Sequence, residues 1–167
     1  MLKNSKTRGY SLVEMIIYVT ILSIVSVVLV NTLLSFTGSY KQLQALRAVD
    51  RSAMDVMEKF SRSIRSSTSI DIGGSSFGAN PGVLVLVETD GLVSTTTRFY
   101  LENQVVKMDV NGVYYGPLSL GVADVTSLVF RKTDSDSTSA IKIEMTVSAN
   151  IGGVTKQKNF FLTTVTK

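Results

Sequence analysis

The distribution of apolar positions divides the chain into three stretches. Between residues 15 and 40 no charged side chain occurs, and 15–36 reads MIIYVTILSIVSVVLVNTLLSF, apolar on every side of a helix. From 40 to 66 apolar residues recur at helical spacing. At 100° per residue Leu46, Val49, Ala53, Val56, Met57, Phe60 and Ile64 share one stripe, while Arg47, Arg51, Arg62 and Arg65 lie opposite. After Ser66 the period drops to two, most plainly where Ile141, Ile143, Met145 and Val147 alternate with Lys142, Glu144, Thr146 and Ser148.

These patterns predict one helix followed by strands. No proline precedes Pro81 and Gly38 is the one glycine between Gly9 and Gly73, so a single helix is expected over about 11–66, with Gly38 as the point where it would bend. Asp55 to Lys59 and Glu58 to Arg62 are i, i+4 pairs in the favourable order, each worth about 0.2–0.5 kcal/mol. Ser66-Ser67-Thr68-Ser69 and Gly73-Gly74-Ser75-Ser76 read as the connection to the strands. Strands are expected at 83–88, 95–101, 104–110, 113–115, 125–132, 140–149 and 155–165, separated by Asp90-Gly91, Glu102-Asn103, Asn111-Gly112 and Gly152-Gly153. Connections this short make hairpins. The expected fold class is therefore α+β, a long N-terminal helix packed by its apolar stripe on a C-terminal antiparallel β-sheet domain.

Composition narrows the chemistry. At 167 residues the chain suffices for one domain plus an appendage. Histidine and cysteine are both absent, which excludes Ser-His-Asp and Cys-His nucleophile systems, zinc sites built on those ligands, and disulfides. Apolar residues make up 44% and charged residues only 18%, against about 25% in ordinary globular chains. The net charge of +4 is unevenly placed: Lys3, Lys6 and Arg8 stand without an acid in 1–9, while 67–167 holds eight bases against nine acids. The basic balance therefore belongs to the N-terminal third and gives the β domain no general affinity for polyanions. The arginine face of the helix could be read as a DNA-binding stripe, but Asp55 and Glu58 interleave with it and no aromatic platform does, so a solvated or subunit-contacting face is expected.

The 22 residues of 15–36 reach about 33 Å as a helix, enough to cross a hydrocarbon core of about 30 Å. The three preceding bases would keep the N-terminus in the cytoplasm and place the residues after Tyr40 across the membrane. A cleaved secretory signal would have a shorter apolar region ending at a small-x-small site. Glu14 stands at the head of the run, where an ionised side chain in hydrocarbon costs about 2.5–3.5 kcal/mol. Two readings of it stay open: a carboxylate complementing the positive end of the helix dipole at headgroup depth, or one with a dedicated partner.

Residues 8–14 read Arg-Gly-Tyr-Ser-Leu-Val-Glu directly before the apolar helix. This string resembles the class III leader of type IV pilins and type II secretion pseudopilins. The resemblance implies cleavage by a prepilin peptidase after Gly9, methylation of the new N-terminal Tyr10, and a role for Glu14, the fifth residue of the processed chain, in subunit assembly. The family most often has Phe where this chain has Tyr10. Its fifth-position Glu is taken to offset the N-terminal charge of a neighbouring subunit, so the partner of the costly acid would come from another molecule.

The same resemblance implies an organisation of leader 1–9, transmembrane and filament-core helix 10–36, amphipathic helix 37–66 and β domain 67–167. More loosely, 47–167 is similar to J-type minor pseudopilins and W-type minor pilins. The absence of cysteine departs from principal pilins, which commonly staple a C-terminal loop with a disulfide. The function implied is that of a non-enzymatic minor pilin or pseudopilin that primes or caps a type IV pilus or type II secretion pseudopilus. It would sit as a single-pass protein of the inner membrane before entering the filament. Expected partners are the prepilin peptidase, other minor and major pilins or pseudopilins, the inner-membrane assembly platform and membrane lipid, with no cofactor and no nucleic acid. Some pseudopilins bind calcium, which makes Asp134 and Asp136 candidate oxygen donors, although the run 133–139 lacks an assured third carboxylate or a glycine turn and reads as a solvated loop. Glu88 and Asp90 flank an expected hairpin turn and do not read as an acid–base pair. The rival reading is a membrane-anchored or tip-displayed adhesin whose β domain recognises DNA, a sugar or a secreted substrate.

Overall fold

The computed structural model describes residues 11–119, 121–135 and 138–166. One helix, α1 (Leu12–Ser66), precedes eight strands: β1 (Ser69–Ile70), β2 (Val83–Asp90), β3 (Val93–Glu102), β4 (Val105–Val110), β5 (Val113–Pro117), β6 (Asp124–Ser135), β7 (Thr138–Ile151) and β8 (Val154–Val165). Gly38 is helical and does not interrupt α1. The chain divides into two compact units, one up to Tyr40 and one from Lys41 onward.

In the second unit the part of α1 from Lys41 lies against antiparallel sheets, the α+β, pilin-like architecture expected. The strands form two antiparallel sheets, β1-β2-β3-β4-β5 and β6-β7-β8. Alternation marks strands and their inward faces, and it carries no sign of where one sheet stops and the next begins. At the break, Val125 N–H donates to the Gln104 carbonyl at 2.8 Å and Leu118 N–H to that of Val106 at 2.7 Å.

Phe60 joins the layers. Its ring meets Phe99 of β3 at 5.0 Å and Phe130 of β6 at 5.5 Å, both edge to face, the arrangement aromatic quadrupoles favour. All three are fully buried. The buried stripe of α1 runs Ala45, Val49, Ser52, Ala53, Val56, Phe60 and Ile64. It is rotated slightly from the expected one: Leu46 is 37% exposed and Met57 only packs at the margin, while Ala45 and Ser52 lie inside. Small residues let the helix approach the sheets where Leu46 would not fit.

In β7 the expected alternation holds, with Ile141, Ile143, Met145 and Val147 inside. Strand β6 breaks the parity: Val125 and Leu128 are both buried although three residues apart. A register shift between Val125 and Ser127 inserts the extra residue and returns Leu128 and Phe130 to the core.

Turn chemistry corrects two boundaries. The β3–β4 turn is Asn103-Gln104, both at positive φ (51° and 63°), so Gln104 is a turn residue and β4 begins at Val105. The β6–β7 hairpin extends through most of 133–139: β6 continues to Ser135 and β7 starts at Thr138, with Asp134 opposite Ser139. No apolar residue occurs in 133–139, so its sequence lacks the alternation that marks a strand. Of the two expected helix ion pairs, Glu58–Arg62 forms, whereas Lys59 stands over the Tyr115 ring at 6.0 Å in place of pairing with Asp55. A longer-range pair joins Asp50 of α1 to Lys158 of β8 at 2.8 Å.

Phe60→Ala should cost about 3–5 kcal/mol, read as a fall in the urea midpoint of the detergent-solubilised chain; a loss under about 1 kcal/mol would deny the ring its joining role. On the outer face of β7, the Lys142 ammonium and then Arg131 hold the Glu144 carboxyl below its ordinary value. A lowered carboxyl contributes stability above the unfolded value of about 4.3 and loses it as pH falls through the folded one. The stability gap between the parent and Glu144→Gln should therefore close on acidification below about pH 4, and a gap that widened there would contradict the assignment.

Candidate functional site

The first unit carries the unusual surface. From Leu12 to Phe36 no large apolar side chain is less than 47% exposed, so the segment presents apolar surface on every side. In water each such side chain forgoes about 1.5–3 kcal/mol of burial. The helix is long and apolar enough to cross a membrane.

Four hydroxyls inside this stretch are arranged for a medium without water. Thr20, Ser23, Ser26 and Thr32 each donate their hydroxyl to the carbonyl four residues earlier, at 2.8 Å. Thr37 and Ser39 do the same at 3.0 and 3.1 Å. Each hydroxyl is thereby satisfied within the helix, which hydrocarbon demands and water does not.

Glu14 lies in the first turn of α1, where the Met15 N–H donates to the Ser11 carbonyl at 3.2 Å. It is half-buried amid exposed neighbours. The Tyr18 hydroxyl donates to its carboxylate Oε1 at 3.2 Å. Sequence reasoning does not single out Tyr18; the i, i+4 spacing from Glu14 is the signal that could have found it. The acid thus has both the helix dipole and one hydroxyl donor at hand, and no cation partners it among the described residues. Gly9 and Tyr10 lie outside the described residues.

Among the described residues no group of three or more acids could hold a metal ion. Asp136 lies outside the described residues, and Asp134 holds a register position in β6. Glu88 and Asp90 are exposed in β2, with Ser66 donating to Glu88 at 3.4 Å. On the outer face of the first sheet, Tyr100 donates to Asp109 at 3.1 Å and Arg98 stands 4.9 Å over the Tyr100 ring. Desolvation first, then the Asp109 bond, raises the Tyr100 phenol above its usual value. Lys107 is raised by its bond to Glu102. These charges neutralise one another in pairs, as in a solvated sheet face.

Residues 4–30 match the family model described as the prokaryotic N-terminal methylation motif. The chain thus carries the class III prepilin leader, which is consistent with a type IV pilin-like protein; the leader implies processing by a prepilin peptidase and assembly with other pilins, and with the apolar helix it fits anchoring in an inner membrane. Comparisons with curated proteins and with solved structures gave no match.

If lipid is what covers the helix, Leu29→Lys at mid-span should lower the carbonate-resistant membrane fraction strongly, since a central lysine costs about 2.5–3.5 kcal/mol of insertion. Leu92→Lys, at an exposed turn between β2 and β3, should leave it unchanged. Equal retention of both variants would contradict the membrane assignment.

Proposed function

We propose that the chain is a minor pilin or pseudopilin, a structural subunit that primes or caps assembly of a type IV pilus or a type II secretion pseudopilus. Its N-terminus faces the cytoplasm and its β domain the far side of the membrane until the helix is drawn into a filament. The single observation that carries this reading is Glu14: an acid at the head of an uncovered apolar helix, five positions after Gly9, inside a matched prepilin leader. Cleavage after Gly9 would create an α-amino group at Tyr10, itself a costly charge in lipid. The carboxylate of one subunit and the amine of its neighbour are each penalised alone, and their pairing selects the register in which helices bundle. The Tyr18 hydroxyl would hold the Glu14 carboxylate while the subunit waits in the membrane. The absence of His and Cys, and of any acid cluster among the described residues, suits a structural role. The minor class is favoured over the principal subunit by the lack of a disulfide staple.

Substitutions at the two ends of this motif separate processing from assembly. Gly9→Ala or a larger residue should leave the precursor uncut, visible as the slower band on an immunoblot. Glu14→Ala should be cut normally and reach the membrane, yet its amount in sheared filaments should fall about tenfold or more, the loss of a buried charge pair. Parental incorporation of Glu14→Ala would remove the electrostatic role.

A further inference from the structure

Asn31 is the one carboxamide in the apolar run 15–36. It lies five residues inward of Phe36, about 8 Å along the axis, and so within the hydrocarbon if the run spans it. The hydroxyls of Thr20, Ser23, Ser26 and Thr32 are satisfied by their own helix, whereas the Asn31 amide makes no hydrogen bond among the described residues. Its two donors and carbonyl acceptor are not turned back on the helix here, and lipid tails offer them nothing.

We infer that Asn31 pairs with Asn31 of a second copy of this chain, in a parallel helix dimer formed within the bilayer. Every copy inserts with the same orientation, so Asn31 of one lies at the same depth as Asn31 of the next. A carboxamide is self-complementary: the N–H of each donates to the C=O of the other, and two bonds form where none existed. The residues within 40° of Asn31 around the helix include Ile24 and Val27 on its N-terminal side along the chain, Ser35 and Gly38 on its C-terminal side. The last two are small, and a Cβ built at Gly38 would meet nothing within 4 Å, so a second helix can come close beside the amide. The pairing needs only the membrane insertion contained in the proposed function. It is distinct from the Glu14 contact, which joins the acid to an amine.

The chain has no cysteine, so single-cysteine variants of the full-length protein in native membranes report on one position each. Oxidative cross-linking should give dimers at Ile24→Cys and Ser35→Cys at least about fivefold above Leu29→Cys and Leu33→Cys, which lie on the far side of the helix. Adding Asn31→Leu should lower the seam dimers about three- to tenfold, and Asn31→Gln should restore part of the yield. Equal yields around the helix, indifference to Asn31→Leu, or adducts whose mass shows a different protein joined to the chain would each overturn the pairing. Carbonate extraction of the same variants keeps the two readings apart: insertion without seam-selective dimers sinks the pairing alone, and failure to insert sinks it together with the membrane reading.

Discussion

An apolar helix cannot stand bare in water, and this chain has one whose large apolar side chains from Leu12 to Phe36 are all exposed. Everything distinctive about the N-terminal unit answers that constraint. The hydroxyls of Thr20, Ser23, Ser26 and Thr32 are folded back on its own carbonyls, its charges stop at Glu14 and resume at Lys41, and its acid has a tyrosine hydroxyl within reach. Lipid first and other helices afterwards can both satisfy such a surface. A segment able to live in either medium is what a subunit moving from membrane to filament requires.

The second unit has a buried core of its own. Its core depends on α1 supplying narrow residues, Ala45, Ser52 and Ala53, beside one large ring, Phe60. That ring touches both sheets through Phe99 and Phe130, so two sheets that share few direct backbone bonds are tied through the helix. Buried polar groups are satisfied locally: the Ser67 hydroxyl donates to the Ile64 carbonyl at 2.7 Å at the end of α1, and Ser119 accepts from the Val106 N–H at 3.1 Å.

The helix and seven of the strands were legible because their signals are local. Periodicity in 41–66 and alternation in β7 are read off neighbouring residues. The division into two sheets was not legible, since it is set by which faces meet across the core. Nor was β1, two residues long and bonded chiefly by its place beside β2. The β6 bulge and the left-handed Gln104 escaped for a related reason: tertiary packing imposes them on residues without the usual glycine mark. At the candidate site, Glu14 was conspicuous as a lone acid before an uncharged run, while Tyr18 was hidden as one more bulky residue within it. Asp134 stood out for being polar, and its place in a strand near the end of the β6–β7 ladder explains that polarity as well as a metal would.

The central claim is that the apolar helix is unmasked by cutting the basic leader, so that Glu14 of one molecule can meet a new amine on another. Intact-mass analysis of the protein extracted from membranes of a host with an active prepilin peptidase tests it most directly. A chain beginning at Tyr10 and carrying one added methyl group is the predicted species. A chain that retains residues 1–9 in that host would contradict the account.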